Sequence, residues 1–504
     1  MSLSFQTMSM LRFGYGFRSG EAPPTDKQAL LGQVTVGALQ IPLFPIGGVD
    51  ARRQRVIEVA ARFRDIYKGS DGPDVKRARQ KAISEKLTTG YQRDADARLA
   101  QAVYSPNGFY ERLASFWVNH FSVSTRKNQQ MPAVVPLYEA EAIRPNVGAK
   151  FSVLLRAATS HPAMLLYLDQ SQSFGPDSAV GVKNGKGLNE NLGRELLELH
   201  TLGAGSGYTQ DDVRSTAMVL TGLTFDPASM KARFRPGVAE PGSHQVLGVS
   251  YGGAKRSDRD YLSLLDNLAA NPRTAKHICR KLVVHFISDQ PPQEMIDAMV
   301  GAWISTDGNL MAVYAAMLDH PAAWADFGSK ARQPFDYVVA GLRAMNVDRN
   351  QLAGQSDELA AIGTPGSPDM ADDPVSTLAA DDPATLDPET RKKRNAAFDA
   401  SLYFPRDVGL APVRRMGQPI WQPPSPAGFP EDFVSWVNSS QLAERLAWAH
   451  RVAARYGKLY DPRRFLKDTL ADAARDDTIR VVSQAPNKVT GLTLVLASPE
   501  FYRR

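Results

Sequence analysis

Apolar side chains recur along most of this chain at every third or fourth position, the spacing that lines one face of an α-helix. The periodicity predicts helices over 51–66, 73–88, 95–104, 107–121, 136–143, 150–159, 162–169, 189–202, 210–222, 257–270, 273–287, 292–304, 309–319, 334–345, 390–401, 432–456 and 462–474. Several starts are marked by their chemistry. Thr209 to Asp212 reads as a capping box, and Pro162, Pro272 and Pro321 stand where a first helical residue loses no hydrogen bond. Strand-like alternation is confined to 231–235 and 244–248, enough for a small β-hairpin near 231–248. The expected fold class is all-α: a large multi-helix globular domain.

Two irregular stretches and one proline-rich stretch divide this pattern. Residues 170–187, rich in Ser, Gly and Lys, run into the helix at 189–202 and are expected to form a mobile lid. Residues 363–389 are acidic and rich in Pro, Ala, Asp and Thr, the composition of a linker or surface excursion. The expected organisation is a main helical domain over 1–362, this linker over 363–389, and a helical segment over 390–504 that packs back on the main domain. Residues 412–430 hold six prolines with Trp421 and Phe429, and read as an ordered, extended strap.

Two of the amphipathic helices carry an ionisable residue inside an apolar face. Projected at about 100° per residue, Phe109, Leu113, Phe116 and Trp117 form one stripe that includes His120. Leu188, Leu192, Leu199 and Leu202 form another that includes Glu195. A carboxylate buried without a partner costs several kcal/mol, so such groups are paired, hydrogen-bonded or neutralised. The expectation is that Glu195 and His120 face one another. Such a pair either fixes helix register or forms an acid/base or single-metal site on the floor of a cleft. Asn191, one turn before Glu195, is placed to orient it. Arg194 is spaced for a ladder with Glu190 and Glu198, or for holding an anion at the site mouth. Asp211 is the acid of the capping segment left free by capping, and Lys281 supplies positive charge. His161 reads as a helix cap, His285 as a satisfied core histidine and Cys279 as a buried small hydrophobe.

Composition narrows the classes. The 504 residues are 43% hydrophobic and 22% charged with a net charge of +6, a globular composition. The basic residues alternate with acids, apart from Arg391 to Arg394, so no nucleic-acid stripe is seen. No apolar run of about eighteen residues is present, so no transmembrane segment is expected. Cys279 is the single cysteine, which excludes an internal disulfide and a thiolate-rich metal site. No basic region followed by an apolar stretch opens the sequence, so a cytoplasmic protein is expected as the sequence stands, and a periplasmic or exported one if a leader has been trimmed. Gly-x-Ser-x-Gly, a Walker loop and a dinucleotide-binding glycine pattern are missing, which argues against hydrolase, P-loop and Rossmann chemistry. His-Glu-x-x-His and Glu-x-x-His are missing too, so a di-iron site is not expected.

Phe116 to Phe121, His161 to Leu165, Asn189 to Gly203, and Gly207 to Val213 followed by Leu220 to Gly222 resemble a bacterial family, domain of unknown function 1800. Arg280 to Leu282 with His285 and Phe286, Gly417 to Pro419 with Trp421 to Pro424, and Leu496 to Phe501 extend the likeness to the C-terminus in the same order. The opening, Leu11 to Gly16, matches only loosely. The resemblance implies a mostly helical protein, an export leader in many members, and a sulfatase-like protein as a partner; it implies no activity.

The expected function is therefore an acid/base or metal-assisted enzyme acting on a polar substrate, anionic or saccharide-like. His120, Glu195 and Asn191 would carry the chemistry, and Arg194, Asp211 and Lys281 would hold the substrate. The cofactor is unknown, with a single metal ion left open. The alternative is a non-catalytic accessory or scaffold protein of an envelope or export-related system, its buried His/Glu pair purely structural. A haem protein using His120 as axial ligand has no supporting motif.

Overall fold

The computed structural model describes residues 3–347 and 404–504. The expected excursion at 363–389 and the helix at 390–401 lie outside the described residues. The longer helices are α1 (Lys27–Leu39), α2 (Gly48–Lys68), α3 (Pro73–Tyr104), α4 (Gly108–His120), α5 (Met131–Tyr138), α6 (Phe151–Ser160), α7 (Gln210–Leu220), α8 (Asp258–Ala270), α9 (Pro272–Phe286), α10 (Gln293–Ser305), α11 (Leu310–Asp319), α12 (Pro334–Ala344), α13 (Ser439–Tyr456), α14 (Pro462–Leu470), α15 (Asp476–Ser483) and α16 (Lys488–Leu496). The segments at 73–88 and 95–104 are two parts of α3. Helices α1 and α16 carry little legible periodicity. Lys27–Leu39 holds two glycines and two valines, and Lys488–Leu496 is short and nearly apolar throughout.

The fold is mostly helical, and its β-structure differs in detail from the expectation. Two antiparallel hairpins form. β1 (Leu223–Asp226) pairs with β2 (Lys231–Phe234), and β3 (Gly242–Val246) with β4 (Val249–Gly253). The alternating stretches at 231–235 and 244–248 therefore do not pair with one another. Each turns back on its own immediate neighbour, where closure of a short loop costs least.

The stretch at 170–187 holds regular structure. It folds into a 3₁₀ turn, Gln170–Gln172, and a short helix, Ala179–Asn184. Gly175 N–H donates to Val238 O, Asp177 N–H to the Glu240 carboxylate, and Phe174 N–H to Gly187 O. The first two bonds tie it to the segment between the hairpins.

α4 lies at the centre. Phe109, Leu113, Phe116, Trp117 and His120 are all buried on it. α1 packs across it, while α9, α10 and α11 pack in succession. Residues 404–504 close the other side, with α13 against α16 and the segment Leu410–Arg415 against α3 and α12. Buried charge stitches them down. The Asp336 carboxylate at the start of α12 accepts from Arg112 of α4 (2.8 Å) and from Arg504 (2.8 Å). Glu139 accepts from Arg98 of α3 (2.7 Å) and from the indole N–H of Trp421 (2.6 Å). Trp421 sits at φ +53, a left-handed backbone in which a side chain of this size is held only by its surroundings.

Neutralising Asp336 would leave two buried guanidinium groups, both under 2% exposed, without their shared counter-charge. Asp336→Asn is expected to lower unfolding free energy by about 3–5 kcal/mol in chemical denaturation, the cost of breaking a buried ion pair from one side. A loss under about 1 kcal/mol would show that the triad does not hold the C-terminal segment.

Candidate active site

The last turn of α4 brings His120 against α9. Its Nε2 lies 3.2 Å from the carbonyl oxygen of His200, and its Nδ1 lies 3.0 Å from Lys281 Nζ. A carbonyl only accepts, so Nε2 carries the proton and Nδ1 accepts from the lysine. Burial pushes the His120 pKa well below its ordinary value, and Lys281, His200 and His277 push it the same way. His120 is thus a neutral imidazole with both nitrogens engaged.

Lys281 is the unusual group. It is mostly buried, and burial lowers its pKa from 10.5 to about 8 against the raising pull of Glu431. The two further histidines around it are neutral as well. His200, fully buried, is held down to about 3 by burial and then by the Lys281 charge. His277, half-buried, is brought to about 4 by the same two causes. An amine with a pKa near 8 supplies both the ammonium and the free base near neutrality, the condition for proton transfer.

Next to His285, one turn further along α9, lies a cavity of about 60 Å³, walled by α4, the start of α12 and the strap ending at Glu431. At roughly 10–15 Å³ per water it holds a few waters, or one end of a polar molecule. Arg98, Asn119, His285, Asp336, Trp421 and Glu431 are among the residues that line it. Glu431 accepts from Asn119 Nδ2 (3.1 Å), His285 Nδ1 (2.9 Å) and Gln333 Nε2 (2.9 Å). Burial acts to raise its pKa, but His285, Lys330 and Lys281 outweigh that and hold the carboxyl ionised. His285 uses its second nitrogen to accept from Arg112 (3.1 Å), so both of its nitrogens are satisfied inside the protein.

The expected partner of His120 is elsewhere. Among the described residues no hydrogen bond or ion pair joins Glu195 to His120. Glu195 is half-buried beside Glu198, Arg194 and Tyr167, and burial, then the Glu198 charge, raises its pKa. The buried stripe of its helix is Leu192, Leu196, Leu197 and His200, whereas Leu188 and Leu199 are half-exposed. The short helix Asn191–Glu195 also passes into a π turn, Leu196–His200, in which each residue advances by less than 100°. The 3.6-residue projection therefore chose the wrong edge of the helix. The spacing Leu192, Leu196, His200 was available in the sequence and pointed to His200.

The other expected residues are scattered. Asn191 is exposed on its helix's first turn, and Asp211 is exposed on the first turn of α7. Arg194 bridges Glu190 and Glu198 at 3.3 Å each and reaches Gln210 at 3.1 Å, the ladder its spacing allowed. Lys281 alone joins His120. His161 caps its helix and also meets Glu141 at 3.2 Å. Glu431 carried no signal in the sequence beyond lying at the end of a proline-rich strap. Among the described residues no group of three or more His, Cys, Asp or Glu side chains is arranged to hold a metal ion. No described helix is long and apolar enough to cross a membrane.

Segments far apart in sequence thus converge here: Trp117 to Phe121, Leu196 to Gly203, Arg280 to His285 and the strap at 417–424. These are among the stretches that carry the family resemblance. A family profile described as "Protein of unknown function (DUF1800)" matches residues 10–503, nearly the whole chain. The protein belongs to this family. No curated protein and no solved structure matches it.

Glu431→Gln replaces a three-fold acceptor by an amide that must turn a donor toward one of its neighbours. Stability at pH 7 is expected to fall by about 1–3 kcal/mol. Because the folded carboxyl is held below the ordinary value of 4.5, its stabilisation is complete above that pH. It disappears as pH falls through the folded pKa, so wild type and variant should converge in acid melts. A difference that stays constant into acid would contradict the ionised state.

Proposed function

We propose that this protein is an enzyme that works by proton transfer through Lys281, on a polar substrate presented where α9 meets the π turn Leu196–His200. The observation that carries this reading is the Lys281 amine itself, mostly buried, 3.0 Å from a neutral His120 and brought to about 8. Burying an amine is costly, and perturbed groups of this kind gather at working sites. His120 orients the amine and, through its Nε2 bond to the His200 carbonyl, cannot change tautomer without losing a hydrogen bond. Glu431 sets how far the lysine pKa falls. The acid/base role expected for Glu195 moves to Lys281, and Glu195, Asn191 and Asp211 take no part in the proton transfer.

A non-catalytic accessory role is the second reading. It is favoured by one observation: both nitrogens of His120 and of His285 are satisfied within the protein, as in a purely structural network. A sulfatase-like protein, proposed from the family resemblance alone, would be the partner in that case.

The two readings separate by mutation. Purified protein is screened against esters, glycosides, phosphate and sulfate monoesters and carbonyl compounds, with Lys281→Met alongside. The enzyme reading expects an activity that the variant loses by about 10²–10⁴-fold, the usual contribution of general acid–base catalysis. The wild-type rate should also show a limb near pH 8, rising with pH where the free amine acts as base and falling where the ammonium acts as acid. A folded Lys281→Met protein with unchanged activity would sink the proposal.

A further inference from the structure

Lys281 does not stand alone on α9. Arg273, His277 and Lys281 are spaced four apart and share one face of that helix. That face meets the loop Gly203–Tyr208, which follows the π turn. Gly203, Gly205 and Gly207 have φ of +92, +70 and +86, conformations that favour glycine. The approach is close: a Cβ on Gly203 would stand 2.7 Å from His277 Nδ1, and one on Gly207 3.7 Å from an Arg273 guanidinium nitrogen.

The loop has hydrogen-bond donors to spare. Ser206 N–H donates to Gly203 O, while the N–H groups of Ala204, Gly207 and Tyr208 have no backbone acceptor among the described residues. The Ser206 hydroxyl is shielded from solvent and unpartnered, and fully buried His200, beside Lys281, has neither ring nitrogen hydrogen-bonded. The nearby carboxylates are already engaged. Glu198 is taken by Arg194, and Asp212 accepts from Thr209 and Leu247. Among the described residues no ion pair engages Arg273, Lys276, Arg280 or Lys281. Left-handed glycine loops with unpaired N–H groups beside cations that have no ion-pair partner attract anions, although the Asp212 charge acts on Arg273 and the Glu431 charge on Lys281 from further off.

We propose that the Gly203–Tyr208 loop and the Arg273–His277–Lys281 face of α9 form a binding site for a phosphate-like oxyanion, the charged group of the substrate. Arg273 and the loop amides would hold the anion. Lys281 would stand at its inner edge, where the free amine or ammonium faces the substrate. The proposal rests on the proton-transfer reading for the word substrate, but its test reads binding alone.

Inorganic phosphate is titrated into the full chain by calorimetry and by thermal melts, at constant ionic strength against chloride. Wild type should bind with heat and show a phosphate-specific rise in melting temperature. Arg273→Gln, at an exposed position, should weaken binding at least tenfold, and Lys281→Met likewise, while Arg463→Gln on α14 should leave it unchanged. If Lys281→Met fails to fold, Arg273→Gln decides. Absence of phosphate-specific binding, or equal binding by wild type and Arg273→Gln, overturns the site. Phosphate binding that fails while Lys281→Met still loses activity leaves the proton-transfer reading standing. Phosphate binding that succeeds while that variant keeps its activity leaves an anion site without the chemistry.

Discussion

Glu431 is an ionised carboxylate, mostly buried, that takes hydrogen bonds from three separate helical elements: Asn119 at the end of α4, His285 on α9 and Gln333 just before α12. Much of the surrounding order follows from that one group. Desolvating it is costly, and only several well-placed donors offset that cost. The same donors fix where the proline-rich strap ends and therefore where the cavity wall stands. The next carboxylate along, Asp336, repeats the arrangement with Arg112 and Arg504. His285 joins the two, accepting from Arg112 on one nitrogen and donating to Glu431 from the other.

This arrangement makes the chemistry of Lys281 intelligible. An amine in this position meets two opposing influences. Burial lowers its pKa, and the Glu431 charge raises it without an ion pair within reach; the balance falls at about 8. Around it, His120, His200 and His277 are all driven neutral, so none of them competes as a cation. Neutral imidazoles, edge-on or tilted to one another beside one titrating amine, would leave proton exchange to a single nitrogen on the proposed reading. On the proposed reading, the stability of the site and its proton transfer would come from the same desolvation.

The helical class, the stripe of α4 and the capping chemistry at Thr209 and His161 were legible because each depends on neighbours within one or two turns. The site was legible only in halves. His120 stood out inside the Phe109–Trp117 stripe, and Lys281 was seen as a source of charge. Their meeting was not visible, because it depends on how α9 crosses α4. A π turn changes the angular step in the middle of the helix, so a fixed 100° projection points to Glu195 rather than His200. Glu431 and the pairing of the strands escape it, each for its own reason. One is defined by contacts made across 98 to 312 residues, the other by local loop closure that alternation alone does not pair.

The central claim is that the Lys281 amine is tuned by its surroundings to titrate near neutrality. Heteronuclear NMR of protein carrying ¹³C-labelled lysine side chains, followed from pH 6 to 11, reads this directly. One lysine resonance, missing in Lys281→Met, should titrate with a midpoint near 8, well below the remaining lysines. If that resonance instead titrates near 10.5 with the others, burial does not govern the amine, and the account of this site is wrong.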